Sequence, residues 1–164
     1  QWHMIGHLQS RKAKIVAEHF AMIHSIDSYK IAEKLNRALS INNKNLPAML
    51  EFNVSGEATK GGWQAGDSKT WDRLIPEIER IMSLQNLRIC GLMCMPPLNT
   101  DLEKVRPYFV SLRKLQEFLT NRIAELDLRH LSMGTSADYG VAIQEGATYV
   151  RIGQGILGQR SARA

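Results

Sequence analysis

Residues 47–54 read PAMLEFNV, and this stretch has the length and composition of a buried β-strand. Successive side chains of a strand point to opposite faces, so Leu50 and Phe52 share one face while Glu51 and Asn53 share the other. A parallel sheet covered by helices is apolar on both faces. A face that carries Glu and Asn therefore indicates a polar space, such as the upper interior of a barrel. The alternative is an edge strand with one face in water.

The same kind of strand recurs along the chain and alternates with segments of helical periodicity. Strands are predicted over residues 2–7, 22–27, 47–54, 88–95, 130–135 and 148–152. Helices are predicted over residues 10–20, from residue 28 onward, and over 70–84, 104–126 and 137–145. This alternation is typical of repeated βα units with a parallel sheet. It predicts an α/β fold, either a doubly wound open sheet or an incomplete barrel.

The length of the chain limits the second alternative. The chain has 164 residues, of which 44% are hydrophobic and 23% charged, an ordinary globular composition. A complete (β/α)8 barrel takes about 250 residues, so this chain can supply about six of the eight units. The sequence begins at Gln1 and enters an apolar stretch at once, which we interpret as a start inside a longer protein.

Composition also excludes several classes of partner. No apolar run approaches the ~20 residues that span a membrane, and no secretory signal pattern is present. The net charge is +5, but the basic residues are dispersed and do not alternate with aromatic residues, so we expect no nucleic-acid partner. Cys90 and Cys94 lie too far apart along one strand for a disulfide. Reduced thiols in a cytoplasmic protein are the expectation.

Arg151 is the first candidate for a binding residue. In the last predicted strand Tyr149 and Arg151 share one face, and Val150 and Ile152 share the other. An arginine between apolar neighbours is costly to bury unless it is paired or bound to a ligand. The alternatives are an ion pair with Glu51 or a side chain that reaches water.

Two glycine-containing segments follow the last two strands. Residues 133–136 read MGTS and residues 153–158 read GQGILG. Glycine lets backbone N–H groups approach an anion, and a helix N-terminus adds partial positive charge. We therefore predict an anion held by Thr135, Ser136, Gly153 and Gln154, with turn glycines and a helix-capping serine as the alternative. Although GQGILG matches the dinucleotide-binding pattern, no βαβ unit follows it within the chain.

Metal and nucleophile motifs are absent from the sequence, and the two histidines of the first predicted strand, His3 and His7, are more typical of structural roles. We predict no metal site.

Five ordered motifs together resemble one known family. They are WHMIGHLQS at 2–10 with Lys12, NVSGE at 53–57 with Lys60 and Gly62, RICGLM at 88–93, LSMGTS at 131–136 with Asp138, and VRIG at 150–153 with GQR at 158–160. This set resembles the pyridoxal-phosphate homeostasis proteins, which are similar to the N-terminal barrel domain of alanine racemase. The resemblance extends over nearly the whole chain.

The resemblance implies a (β/α)8 barrel that binds pyridoxal 5′-phosphate (PLP). In such a site Ser136, the backbone around Thr135, Gly153 and the N–H of Gln154 would hold the phosphate, and Arg151 would approach the pyridine nitrogen. The other residues that the resemblance assigns to the cofactor site are Asn53, Met133, Ser132 and His7.

The departures from the family pattern define what this chain would do. The Schiff-base lysine in an AVSK-like segment and the GEN motif are not found, and Gln154 replaces the usual threonine. We therefore predict that residues 1–164 form a partial barrel, strands three to eight, which lacks the first two βα units and binds PLP weakly and without a covalent bond. The resemblance implies a PLP carrier or buffer, with PLP-dependent apo-enzymes as possible partners. A racemase-like PLP enzyme and a non-catalytic interaction module are the alternatives.

Overall fold

The computed structural model describes residues 1–99 and 101–158. Its strands are β1 (His3–Met4), β2 (Met22–Ile26), β3 (Leu46–Asn53), β4 (Trp63–Gln64), β5 (Leu87–Met93), β6 (His130–Thr135) and β7 (Tyr149–Arg151). Its α-helices are α1 (Ala13–His19), α2 (Tyr29–Ile41), α3 (Ile75–Met82), α4 (Arg106–Arg122), α5 (Tyr139–Gln144) and α6 (Gln154–Leu157). Short 3-10 segments, Ser10–Lys12, Ser68–Leu74 and Leu102–Lys104, precede three of the helices.

The strands form one parallel sheet in the order β1-β2-β3-β5-β6-β7, and the two-residue β4 pairs with the end of β3. All six strands of the main path follow sequence order, with a helix in each crossover. An open doubly wound sheet reverses its strand order at a switch point, whereas the strands of a barrel run in sequence order around it. The topology therefore favours the barrel over the open sheet.

The sheet is curled about its concave face. His24 of β2 lies within 2.8 Å of Ser132 of β6, although β3 and β5 stand between these two strands. The outermost strands also approach each other across this face, because the rings of His3 and Tyr149 are 5.7 Å apart. A flat sheet would hold such residues well beyond contact, since neighbouring strands are about 4.8 Å apart. The prediction of an incomplete (β/α)8 barrel of six βα units is confirmed.

Two separate apolar clusters lie on the two faces of the sheet. The larger one fills the space between the sheet and its helices and includes Leu50, Phe52 and Phe109. The smaller one lies on the concave face and consists of Met22, Met49, Cys90 and Met93, with Tyr149 packed against them. The two faces of β3 therefore differ as its sequence predicts, with Leu50 and Phe52 toward the helices and Met49 toward the interior.

The predicted elements are correct in kind but differ at their ends. The first strand was expected over residues 2–7 and covers only His3–Met4, because it pairs with β2 at two positions before the chain leaves the sheet. β4 was not predicted. It consists of two residues inside a glycine-rich loop, where Trp63 packs on Phe52 with ring centroids 5.8 Å apart.

Proline and core packing set the helix ends. The helix predicted over 70–84 starts at Ile75, so that Pro76 lies in the first turn, where a missing N–H costs little. The helix predicted over 104–126 ends at Arg122, and Ile123 has extended backbone. Ile123 and Leu126 are still buried, so the apolar stripe that suggested a longer helix continues into an irregular segment. No helix in the described residues combines the length and apolar character needed to cross a bilayer.

Candidate functional site

The polar residues of the concave face gather toward the carboxyl ends of the strands. In parallel sheets these ends lie on one side, and ligands bind there in barrel folds. β6 contributes Ser132 and β7 contributes Arg151, and the loops that follow these strands carry Ser136 and Gly153. The register pairs Thr135 of β6 with Arg151 of β7, so the loop that follows Thr135 and carries Ser136 starts beside Arg151.

Arg151 is half-buried and held by uncharged groups. One terminal nitrogen donates to Ser132 Oγ at 2.8 Å, and the other donates to the carbonyl oxygen of Cys94 at 2.8 Å and lies 3.1 Å from Met95 Sδ. Burial lowers the pKa of Arg151. The ion pair with Glu51 that the sequence left open is not among the contacts of the described residues. Within the part of the chain that the structure describes, the site therefore presents a positive charge that is not paired directly with a carboxylate.

A chain of hydrogen bonds continues from Arg151 across the concave face. Ser132 Oγ lies 2.8 Å from His24 Nδ1, and His24 Nε2 lies 3.1 Å from His3 Nδ1. Ser132 and His24 are both buried. Burial lowers the pKa of His24 to about 4, and the neighbouring His3 and Arg151 act in the same direction. His24 is therefore neutral at physiological pH.

Ser136 and the start of α6 form a second group of donors. Ser136 Oγ accepts hydrogen bonds from the N–H groups of Gly153 and Gly155, both at 3.1 Å. The predicted cluster of Ser136 with Gly153 is thus formed. Gln154 is the first residue of α6 and is exposed, so its N–H belongs to the same helix terminus. Among the described residues, the Ser136 hydroxyl has no hydrogen bond in which it donates.

Thr135 is placed in the cluster but is already engaged. Its N–H donates to Asp138 Oδ1 at 2.6 Å, and its hydroxyl donates to the same oxygen at 3.0 Å. Asp138 is buried, so this carboxylate organises the turn between β6 and α5. Gly134, which precedes Thr135 at the end of β6, has a φ of +90°, a conformation that favours glycine. Thr135 therefore shapes the turn rather than presenting free donors.

Asn53 organises the loop after β3. Its Nδ2 donates to the carbonyl oxygen of Glu57 at 2.7 Å, while its Oδ1 accepts from the Ser55 hydroxyl and the Gly56 N–H, both at 3.0 Å. Asn53 is buried, and its described hydrogen bonds all stay inside this loop. The structure thus places Asn53 at the end of a sheet strand with its amide committed to the loop.

Two other predicted site residues lie apart from this group. The Met133 side chain is buried in the cluster between the sheet and the helices, one position after the inward-facing Ser132, so the assignment of Met133 to the cofactor site stays a prediction that only its backbone could meet. His7 lies outside β1, mostly exposed, with Nδ1 2.7 Å from Asp27 Oδ2. Among the described residues, neither side chain makes a hydrogen bond or an ion pair with Arg151 or Ser136.

Glu51 adds a carboxyl group to the upper part of the concave face. Burial raises the pKa of Glu51, and the nearby Asp27 raises it further, whereas Arg151 and His7 oppose the shift. Strand parity predicted that Glu51 faces a polar space inside the barrel, and the structure shows that this carboxyl group is partly desolvated, with charged groups on Asp27, Arg151 and His7 nearby.

The cysteines are both free and buried, which agrees with reduced thiols. Burial raises the pKa of the Cys94 thiol to about 12. Among residues 1–99 and 101–158, no three His, Cys, Asp or Glu side chains are grouped to hold a metal ion. The last family-like motif, GQR at 158–160, extends beyond the described residues after Gly158.

The fold and this arrangement agree with a comparison to known protein families. The family model described as "Alanine racemase, N-terminal domain" matches residues 1–161. The chain belongs to this family. The resemblance to this family that we inferred from the sequence motifs is thereby confirmed.

Curated relatives within the family carry one name. The pyridoxal phosphate homeostasis protein of Aquifex aeolicus is 41% identical over 160 residues, which are 98% of this chain and 67% of the relative. The protein of the same name from Vibrio cholerae is 39% identical over 98% of this chain and 64% of its own length. The chain therefore spans about two thirds of the length of these relatives.

A solved structure extends the similarity to three dimensions. PipY of Synechococcus elongatus, solved with PLP bound, is 34% identical and superimposes with a TM-score of 0.85, over 96% of this chain and 70% of PipY. This family member thus has the same fold as the present chain and is a PLP-binding protein.

Proposed function

We propose that this chain binds PLP at the carboxyl ends of β6 and β7, and that the protein serves PLP homeostasis as a carrier or buffer. The observation that carries the proposal is the half-buried Arg151 guanidinium, which is held by uncharged groups. Arg151 lies on β7, next to β6, and the loop after β6 carries Ser136, which contacts the start of α6. The names of the curated relatives and the PLP-bound PipY structure support it.

The residues present fit the chemistry of the cofactor. Ser136 Oγ accepts from the N–H groups of Gly153 and Gly155, which leaves the Ser136 hydroxyl proton available for a phosphate oxygen at the start of α6. Arg151 supplies N–H donors to an uncharged acceptor such as a pyridine nitrogen. Asp138 occupies the donors of Thr135, so in this proposal Thr135 fixes the turn that carries Ser136.

Arg151 also determines what kind of PLP protein this would be. PLP supplies a reactive aldehyde and, when its ring nitrogen is protonated, an electron sink. A guanidinium donates a hydrogen bond but does not give up its proton, because arginine side chains stay charged in proteins. Arg151 would therefore leave the ring nitrogen unprotonated, which suits storage and transfer better than carbanion chemistry.

We propose further that binding to this chain is non-covalent and that residues 1–164 act as a partial barrel. We also propose that the protein passes PLP to PLP-dependent apo-enzymes and that it acts in the cytoplasm. Reduction with borohydride in the presence of PLP, followed by mass spectrometry, tests the non-covalent part. A PLP adduct on one specific lysine would contradict it.

Equilibrium dialysis with PLP and with pyridoxal, which lacks the phosphate, tests the site itself. Loss of one charge-assisted hydrogen bond costs about 1.5–3 kcal/mol, which is roughly 10–150-fold in affinity. Ser136→Ala should weaken PLP binding about tenfold and leave pyridoxal binding unchanged, whereas Arg151→Ala should weaken both. The control is Arg129→Ala, an exposed arginine paired with Asp127. PLP affinities equal to wild type in both site variants would favour the alternative that these loops are only structural.

A further inference from the structure

The hydrogen-bond chain through Ser132 has a fixed direction. Arg151 can only donate, so Ser132 Oγ must accept from it and has one proton left to give. The remaining partner of Ser132 Oγ within the described residues is His24 Nδ1, at 2.8 Å. Because Ser132 is fully buried, its hydroxyl proton needs that acceptor. His24 Nδ1 therefore carries no proton.

The same order of donor and acceptor continues from His24 to His3, at the edge of the sheet. With Nδ1 as acceptor, neutral His24 carries its proton on Nε2 and donates it to His3 Nδ1, 3.1 Å away. His3 is half-buried, so its own Nε2–H has access to water. Every polar group from His3 to Arg151 is then satisfied by one arrangement of protons.

The opposite arrangements leave a group unsatisfied. With the proton on Nδ1, His24 and Arg151 would both donate to Ser132 Oγ, and the Ser132 proton would have no described acceptor. With both nitrogens protonated, two cations would share one buried hydroxyl. The ring is confined by Tyr149, whose centroid lies 5.0 Å from it in an edge-to-face arrangement, so it has little room to relieve either conflict.

We propose that His24 is a positioning residue: in its neutral Nε2–H form it holds Ser132, which fixes the Arg151 guanidinium in the orientation that receives the ligand. His24 acts from β2 across the concave face, and among the described residues its hydrogen bonds reach Arg151 through Ser132. Its effect on PLP affinity rests on the proposed function of Arg151, whereas its protonation and its coupling to Arg151 do not.

Several charged or titratable groups face His24 from the elements packed around it. They are His3 on β1, His130 on β6, and Tyr149 and Arg151 on β7. Burial and three of them, His3, Arg151 and His130, all lower the pKa of His24. Removal of the Arg151 charge should therefore raise the pKa of His24 toward its ordinary value.

Two measurements test the proposal on the 164-residue chain. The first is nitrogen NMR of the histidine rings in the wild type and in Arg151→Gln, without PLP. The expected spectrum shows His24 as the Nε2–H tautomer and titrating near pH 4, with a higher pKa in Arg151→Gln. An Nδ1–H tautomer, or a pKa that the substitution leaves unchanged, would overturn the proposal even if the chain bound no PLP.

The second measurement compares PLP affinities of variants that keep or remove the acceptor. His24→Leu cannot accept from Ser132 and should weaken PLP binding about tenfold, which is about 1.4 kcal/mol. His24→Asn places an amide oxygen near the position of Nδ1 and should restore most of the affinity. The control is His130→Asn, which also lies against Tyr149 but has a buried Nδ1 without a hydrogen-bond partner in the described residues.

The outcomes distinguish an error in the positioning role of His24 from an error in the proposed PLP site. Equal affinities in His24→Leu and wild type would overturn the positioning role while leaving the PLP site intact. Additive losses in the Ser132→Ala, His24→Leu double variant would also contradict it, because residues that act through one chain are not additive. If the wild type fails to bind PLP, the proposed function is wrong. The NMR result then tests the hydrogen-bond chain from His3 to Arg151 by itself.

Discussion

Substitution of Gly134 by alanine should destabilise the turn that carries the site. Gly134 has a φ of +90°, and a Cβ atom built on it would lie 2.6 Å from Ala142 Cβ and 3.0 Å from Tyr139 Cα. Backbone strain of this kind costs about 1–3 kcal/mol, and overpacking of a close contact costs about 1–3 kcal/mol more. We therefore expect Gly134→Ala to lower the free energy of unfolding by about 2–6 kcal/mol.

Chemical denaturation followed by circular dichroism measures this change, and the chain offers a matched control. Gly140 lies in α5, six residues away, and a Cβ atom built on it meets nothing within 4 Å. Gly140→Ala should stabilise the chain by about 0.5–1 kcal/mol, because alanine is favoured over glycine inside a helix. If Gly134→Ala proved as stable as Gly140→Ala, the account of the turn between β6 and α5 would be wrong.

Two further predictions concern the core and the concave face. Phe109 of α4 is fully buried between helices and sheet, so Phe109→Ala should lower the free energy of unfolding by about 3–5 kcal/mol in denaturant titrations, whereas Ile15→Ala at an exposed position should change it little. Glu51 has a raised pKa in the folded chain, so its ionised form opposes folding and it binds its proton more tightly when folded. Glu51→Gln should therefore raise the melting temperature at pH 7, and the gain should shrink as the pH falls through the pKa of Glu51; a gain that is constant with pH would contradict this.

The fold could be predicted largely from periodicity. Six strands with intervening helices were recognisable because each strand is a short apolar run and each crossover is long enough for a helix. The ends were less predictable, since α4 stops at Arg122 while its apolar stripe continues through buried Ile123 and Leu126. Burial alone does not distinguish a helix from an extended segment that covers the same core.

The site was predictable where local chemistry determines it. Strand parity indicated that Arg151 faces inward, and the glycines indicated a cluster at Ser136 and Gly153. Thr135 was expected to bind the anion because Asp138, three residues on, was not considered as a competing acceptor. In the structure Asp138 accepts the hydrogen bonds of both the Thr135 N–H and the Thr135 hydroxyl. Met133 was included from the motif, although its alternation with Ser132 places its side chain toward the helices.

His24 was missed for a different reason. It was part of a predicted strand, and its role depends on Ser132, which lies 108 residues further along the chain. That contact exists only because the sheet curls until β2 faces β6. The β2–β3 pairing also contains a register irregularity between Ile23 and Ile26, so simple alternation does not hold through β2. The signal available in the sequence was a lone histidine on the same side as Met22.

In the function proposed here, the carboxyl ends of β6 and β7 form the phosphate and ring-nitrogen end of a PLP site. A crystal structure of the 164-residue chain with PLP tests it most directly. We expect phosphate density within hydrogen-bond distance of Ser136 and the N-terminus of α6, with the ring nitrogen on Arg151. PLP bound elsewhere, or a site that stays empty at saturating PLP, would contradict the account.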